Sequence, residues 1–133
     1  MDEPVKVLVI EDDKDIADLV TLVLETEHFE VESVLDPEIA YDKAKSFAPD
    51  VILLDLLMPK MDGWAVFRKI RQDKSLSDVP IAILTAKSQQ VDQMVGRIMN
   101  ADAYITKPFG KQELIDKTYE LIRKRKKPSN PGG

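Results

Sequence analysis

The chain has 133 residues, the length of one domain, and 44% of them are hydrophobic, which excludes an intrinsically disordered protein. It contains no cysteine, so disulfides, thiolate zinc sites and cysteine nucleophiles are excluded as well. The formal net charge is −5, no apolar run approaches the ~20 residues that cross a membrane, and the acidic start MDEPVK is unlike a secretory signal, so we predict a cytoplasmic protein that contacts no membrane.

Strand and helix patterns alternate along the chain, with five of each. The predicted strands are Val5–Ile10, Phe29–Val34, Asp50–Asp55, Ile81–Thr85 and Asp102–Thr106. The predicted helices run from about Lys14 to Glu27, from Asp36-Pro37 to Phe47, from Trp64 to about Asp73, from about Gln89 to Met99 and from Lys111 to Lys124. This alternation predicts an α/β domain with a mostly parallel sheet.

Strands one, three and four are apolar throughout, as expected when helices cover both faces of a sheet. We therefore predict a flavodoxin-like, doubly wound (βα)5 fold whose five-stranded parallel sheet has the order 2-1-3-4-5. The domain is predicted over residues 1–126. Residues 127–133 contain PSNPGG, a composition typical of a flexible tail or the start of a linker.

Five consecutive basic residues occupy positions 123–127 near the C-terminal end. Without them, 14 basic residues stand against 24 acidic ones, so the rest of the chain carries a charge of −10. Such an acidic body argues against nucleic-acid binding by this domain. The basic run itself suits a solvated helix end, favoured by the helix dipole, or a contact with an acidic partner or nucleic acid.

Polar side chains stand at the ends of four predicted strands. They are Glu11, Asp12 and Asp13 after strand one, Asp55 at the end of strand three, Thr85 at the end of strand four and Lys107 after strand five. In an open parallel sheet these carboxyl ends share one edge, near the point where the strand order reverses. We expect at least three carboxylates to converge there, with a hydroxyl and an ammonium group on the other side.

Converging carboxylates repel each other unless a cation lies among them, and oxygen ligands without histidine or cysteine favour a hard ion such as Mg²⁺. An ammonium group suits a phosphoryl group. The set therefore predicts phosphoryl transfer with Asp55 as nucleophile. Taken one at a time, the residues also have structural explanations: Asp12 or Asp13 could cap the following helix, and backbone amides could satisfy Asp55.

Four motifs that carry these residues, VLVIEDD, VILLDLLMPKMDG, ILTA and DAYITKPF, resemble the signatures of the CheY-like receiver domain of two-component response regulators. The resemblance extends over roughly residues 5–124. It implies phosphorelay signalling, in which an aspartate accepts a phosphoryl group from a phosphohistidine. It implies no enzyme for a separate substrate, because a receiver catalyses only its own phosphorylation and a slow autodephosphorylation.

Carried over by position, the resemblance assigns a role to each site residue. Asp55 would be the phosphoacceptor, Glu11 and Asp12 the acidic pair of a Mg²⁺ site, Leu57 a metal ligand through its backbone carbonyl, Thr85 the switch hydroxyl, Tyr104 the switch aromatic and Lys107 the partner of the phosphoryl group. It also implies a cis peptide bond between Lys107 and Pro108. Gly63 is expected to supply a backbone conformation closed to other residues.

The resemblance implies partners as well. They are a sensor histidine kinase or histidine phosphotransfer protein, and a downstream effector domain or protein. The effector would contact the surface formed by the fourth helix, fifth strand and fifth helix. The chain would be a monomer or a phosphorylation-dependent dimer.

Two alternatives stay open at this point. One is an aspartyl-phosphate phosphatase of the haloacid dehalogenase kind, although its second aspartate belongs where this chain has Leu57. The other is a degenerate receiver that acts only as an interaction module, although no site residue is missing.

Overall fold

The computed structural model describes residues 3–58, 61–86 and 101–126. Within these ranges the side chains of residues 57, 58, 61, 62, 85, 86 and 126 are not described. The sheet strands are β1 (Lys6–Ile10), β2 (Glu30–Val34), β3 (Val51–Asp55), β4 (Ile81–Ala86) and β5 (Ala103–Lys107). The helices are α1 (Lys14–Glu25), α2 (Ala40–Phe47), α3 (Gly63–Gln72) and the C-terminal helix (Lys111–Lys126).

The five strands form one parallel sheet in the order β2-β1-β3-β4-β5, which confirms the predicted 2-1-3-4-5 topology. Strand β3 lies at the centre and all five of its residues are buried, as the unbroken apolar sequence predicts. Strand β2 lies at an edge and is more exposed. The strand order reverses between β1 and β3, so the carboxyl ends of these two strands meet at the switch point.

Two apolar layers cover the sheet, because alternate strand residues point to opposite faces. On one face, Leu8 and Leu54 belong to a buried cluster with residues of α2 and α3, such as Ala44 and Phe67. On the other face, Val9 and Leu53 belong to a cluster with Val20 and Leu24 of α1 and Leu114 and Leu121 of the C-terminal helix. The carboxyl edge of the sheet is therefore supported from both sides.

The boundaries of the predicted elements differ by one to three residues. Helix α1 ends at Glu25 rather than Glu27, since the Thr26 hydroxyl donates to the Val23 carbonyl and His28 takes a positive φ of 66°. The second helix begins as a 3-10 turn over Pro37–Ile39, capped by the carboxylate of Asp36. The C-terminal helix continues two residues past the predicted Lys124. The predicted helix at residues 89–99 and the tail at 127–133 lie outside the described residues.

A short antiparallel ribbon follows β3, in which Leu57–Met58 pairs with Met61–Asp62. The sequence does not predict this ribbon, because two-residue strands are too short to show a hydrophobic period.

The basic run at the end of the C-terminal helix is partly used within the domain. Lys124 lies 2.9 Å from Asp102, and Arg125 lies 3.4 Å from Asp50 and 3.8 Å from Asp78. These three acids precede β5, β3 and β4, at the amino edge of the sheet. Ion pairs of two of the basic residues, Lys124 and Arg125, thus connect the end of the helix to the amino edge of the sheet.

Candidate functional site

Three carboxylates from two neighbouring strand ends meet at the carboxyl edge of the sheet. Glu11 and Asp12 follow β1, and Asp55 ends β3. Oxygen atoms of the three side chains lie within 4.8 Å of one another. Glu11 is 1% exposed and Asp55 is 3% exposed, whereas Asp12 is half-buried. The predicted convergence is therefore present.

Lys107 reaches this cluster from the end of β5. Its Nζ lies 3.0 Å from Oε1 of Glu11 and 3.5 Å from Oδ1 of Asp55. The peptide bond between Lys107 and Pro108 is cis, as the resemblance implied. Lys107 is the last residue of β5, so its ammonium group borders the carboxylate cluster on the β5 side.

The pKa values of the cluster reflect crowded and buried negative charge. Burial and, next in size, a hydrogen bond with Asp55 together raise the pKa of Glu11 to about 7, although Lys107 opposes both effects. Burial, followed by the charge of Asp55, also raises the pKa of Asp12. The pKa values of Glu11 and Asp12 therefore stay raised although the charge of Lys107 lowers both.

The structure separates the roles of Asp12 and Asp13, which the sequence left open. Asp13 caps α1, since its Oδ1 accepts from the amides of Asp15 at 3.0 Å and Ile16 at 3.2 Å. Asp12 belongs to the carboxylate cluster. The cap is therefore Asp13, and the acidic pair at the site is Glu11 and Asp12.

Three further residues were predicted at the site, namely Thr85, Tyr104 and Leu57. Thr85 pairs with Thr106 in the register of β4 and β5 and follows Leu84, the partner of Asp55, so its backbone lies at the site edge; its side chain is not described. Tyr104 is half-buried in β5 and packs against the cluster that includes α2 and α3. Leu57 lies two residues after Asp55 at the start of the ribbon.

The structure corrects the expectation that Gly63 has a backbone conformation closed to other residues. No described glycine has a positive φ, so Gly63 does not supply a left-handed conformation. A Cβ at this position would instead lie 2.5 Å from Cα of Leu56 and 2.8 Å from the carbonyl oxygen of Asp55. Its amide also donates to the Leu56 carbonyl at 3.2 Å. Glycine is required because the start of α3 passes directly against the backbone that carries Asp55.

The donor set fits a hard divalent ion. It offers carboxylate oxygens from three side chains, two of them with raised pKa values because negative charge is crowded and buried. A divalent cation among these oxygens would relieve the repulsion, and oxygen-only sites select Mg²⁺ or Ca²⁺ over zinc. Neither histidine nor cysteine takes part in this cluster.

Two contacts at the site were not predicted from the sequence. Lys107 pairs with Glu11 as well as with Asp55, and the amide of Asp13 donates to Oε2 of Glu11 at 3.2 Å. No sequence signal marks either contact. Both depend on how the backbone turns after β1.

Comparison with known proteins agrees with this geometry. Residues 7–119 match the family model described as the response regulator receiver domain. The chain is 37% identical over 119 residues to RpaA, a DNA-binding dual master transcriptional regulator of Synechocystis sp., covering 90% of this chain and 49% of that protein. It is 38% identical over 120 residues to the response regulator ArlR of Staphylococcus saprophyticus, covering 90% of this chain and 53% of that protein.

Among solved structures, the chemotaxis protein CheY4 of Vibrio cholerae is similar with a TM-score of 0.84 and 28% identity, covering 90% of this chain and 99% of that one. The match thus extends over nearly all of that chain, whereas this chain spans about half the length of the curated relatives. Within the described ranges, none of the helices has the length and apolar character needed to cross a membrane.

Proposed function

Because the chain belongs to the response regulator receiver domain family, and is thus a receiver of two-component signalling, we propose that Asp55 is its phosphoacceptor. The observation that carries the proposal is the meeting of Asp55 with Glu11, Asp12 and Lys107 at the switch point of the sheet. A nucleophilic carboxylate beside acidic cation ligands and an ammonium group is the equipment of phosphoryl transfer.

The donor would be a phosphohistidine on a sensor histidine kinase or a histidine phosphotransfer protein. Asp55 attacks the phosphorus, the bond from phosphorus to the histidine nitrogen breaks, and the imidazole leaves. The position of Asp55 at the end of β3 supports this role, since a central strand of the sheet holds the side chain in place.

We further propose that the bound ion is Mg²⁺, held by Glu11, Asp12, Asp55 and the backbone carbonyl of Leu57. When bound, it would supply positive charge that neutralises phosphoryl oxygens. Asp12 and Asp55 offer the direct carboxylate ligands. Glu11 is better suited to hold a water in place, because both of its oxygens already accept hydrogen bonds, from Lys107 and from the amide of Asp13.

Lys107 has the position to exchange partners during the reaction. In this structure it divides its charge between Glu11 and Asp55. A phosphoryl group on Asp55 would bring a larger negative charge within reach of the same ammonium group. Lys107 would then pair with the phosphoryl oxygens, which stabilises the product.

Thr85 and Tyr104 would convert the new charge into a change of surface. The Thr85 hydroxyl would bond the phosphoryl group, and Tyr104 would move inward into the space that it leaves. Tyr104 lies on β5, which is the second strand from β3 in the sheet. Phosphorylation would then bias two states of the surface formed by the predicted fourth helix, β5 and the C-terminal helix.

The receiver family is not a classical enzyme family, and we propose that the chain catalyses only its own phosphorylation and slow dephosphorylation. Family membership removes the phosphatase alternative, in agreement with Leu57 in place of a second aspartate. The presence of every site residue argues against a degenerate receiver. We also propose that the receiver unit ends near residue 126 and that residues 127–133 form a tail or linker toward an effector.

The proposal is tested with acetyl phosphate and Mg²⁺, followed by intact mass measurement. The wild-type chain should gain ~80 Da, one phosphoryl group, and Asp55→Asn should gain nothing. Asp18→Asn, an exposed carboxylate of α1 paired with Lys14, is the matched control and should react like the wild type. A wild-type chain that stays unmodified, or an Asp55→Asn variant that is modified, would contradict the assignment.

A further inference from the structure

Asp13 connects helix α1 to the carboxylate cluster through both its side chain and its backbone. Its Oδ1 accepts from the amides of Asp15 and Ile16, which caps the helix. Its own amide donates to Oε2 of Glu11 at 3.2 Å. The residue that starts the helix is thus also the residue that holds one oxygen of Glu11.

This contact fixes the orientation of the Glu11 carboxylate. Oε1 accepts from Lys107 at 3.0 Å and Oε2 accepts from the Asp13 amide, so one donor holds each oxygen. Glu11 is 1% exposed, and water therefore cannot easily replace a lost donor. If the turn over residues 11–13 opened, both Glu11 and the adjacent Asp12 would leave their places in the cluster.

We infer that Asp13 is a positioning residue of the site: by capping α1 it holds the turn that presents Glu11 and Asp12 to a divalent cation. It is not a ligand. Its carboxylate is exposed, is used by the helix amides and is not part of the group of three oxygens within 4.8 Å. The inference rests on the proposed function, in which that group receives Mg²⁺.

A positioning role of Asp13 has different consequences from a role in stability alone and from a role of its charge alone. A stabilising cap would affect folding but not the affinity of the folded protein for a cation. An electrostatic effect would depend on the negative charge of Asp13, whereas positioning depends on the hydrogen bonds. Asparagine caps helices as well as aspartate does but carries no charge, so it separates the two.

Three variants test the inference: Asp13→Ala, Asp13→Asn and the control Asp36→Ala. Asp36 caps the 3-10 turn in the same way, with Oδ1 accepting from the Glu38 amide at 2.9 Å, and is not among the clustered carboxylates. The Mg²⁺ dissociation constant is measured well below the melting temperature from the fluorescence of Trp64, the only tryptophan, which is 7% exposed and follows Gly63. Hydrogen exchange of the Asp13 amide is measured in metal-free protein.

We expect Asp13→Ala to raise the Mg²⁺ dissociation constant about tenfold, the effect of losing a group that orients a metal ligand. The Asp13 amide should also lose its protection from exchange. Asp13→Asn should keep both properties close to those of the wild type. Asp36→Ala should lower the melting temperature without changing either.

The inference is overturned if Asp13→Ala binds Mg²⁺ as Asp36→Ala does, because the cap would then only stabilise. It is overturned equally if Asp13→Asn is as weak as Asp13→Ala, because the charge would then be responsible. A wild-type chain that binds Mg²⁺ but gains no phosphoryl group would refute the proposed function instead, and the comparison of dissociation constants would still stand.

Discussion

Replacing Gly63 with alanine tests the link between the fold and the site most directly. The added Cβ would lie 2.5 Å from Cα of Leu56 and 2.8 Å from the carbonyl oxygens of Asp55 and Leu56. All three contacts are with backbone, so no side chain can rotate away. Either α3 or the segment after β3 must shift, and such overpacking costs about 1–3 kcal/mol of unfolding free energy. The better helix propensity of alanine, at most about 1 kcal/mol, does not offset the upper part of this range.

One side of this contact is the backbone of Asp55 and Leu56, so the variant should lose activity as well as stability. We expect a lower urea midpoint and a slower gain of mass with acetyl phosphate and Mg²⁺. Gly110→Ala is the matched control, because a Cβ there meets nothing within 4 Å. Its cost should stay below about 1 kcal/mol, from a weaker helix cap, and its phosphorylation rate should not change. Equal stability and equal rates for Gly63→Ala and the wild type would refute the steric argument.

Three further predictions follow from the charges. In metal-free protein the pKa of Glu11 is raised to about 7 from 4.5, so at this group the folded state binds more protons than the unfolded state between these values. The contribution of Glu11 to the unfolding free energy in EDTA should therefore fall by about 3 kcal/mol from pH 4.5 to pH 7, and Glu11→Gln should show a flatter curve than the wild type. Asp55→Asn should raise the melting temperature in EDTA, since it removes repulsion among the three carboxylates, and a lower melting temperature would contradict this account. Arg71→Met should cost about 2 kcal/mol in urea unfolding, because Arg71 donates to the Val79 carbonyl at 2.7 Å and to Asp102 at 2.8 Å, while phosphorylation should stay intact.

The sheet and the outline of the site could be predicted because each has a strong signal in the sequence. Continuous apolar runs such as that of β3 are typical of strands buried on both faces, and the order of elements left few topologies. Once the carboxyl ends were assigned to one edge, the polar residue after each strand became a site residue by position. Glu11, Asp12, Asp55 and Lys107 were predicted in this way and lie together.

Local backbone geometry could not be predicted in the same way. Asp12 and Asp13 have the same side chain, and only the backbone turn after β1 decides which one caps α1. Gly63 was expected to have a positive φ, but its requirement is a close approach between two segments separated by the ribbon. The end of α1 depends on a competing bond from Thr26 to the Val23 carbonyl. Contacts of this kind form within a single turn or between segments that meet only in the folded protein. The hydrophobic period of the sequence gives no information about either.

The two edges of the sheet use charge in opposite ways, and this separates chemistry from stability. At the amino edge, Asp102 meets Arg71, Lys124 and the amide of Ile81, so its charge is well compensated. At the carboxyl edge, three carboxylates lie within 4.8 Å of one another, and Lys107 pairs with two of them, Glu11 and Asp55. A fold gains no stability from crowding carboxylates in this way, because burying neighbouring negative charges costs free energy. The crowding is explained if the edge exists to bind a cation and then a phosphoryl group, and substitutions at the amino edge should therefore change stability without changing the reaction.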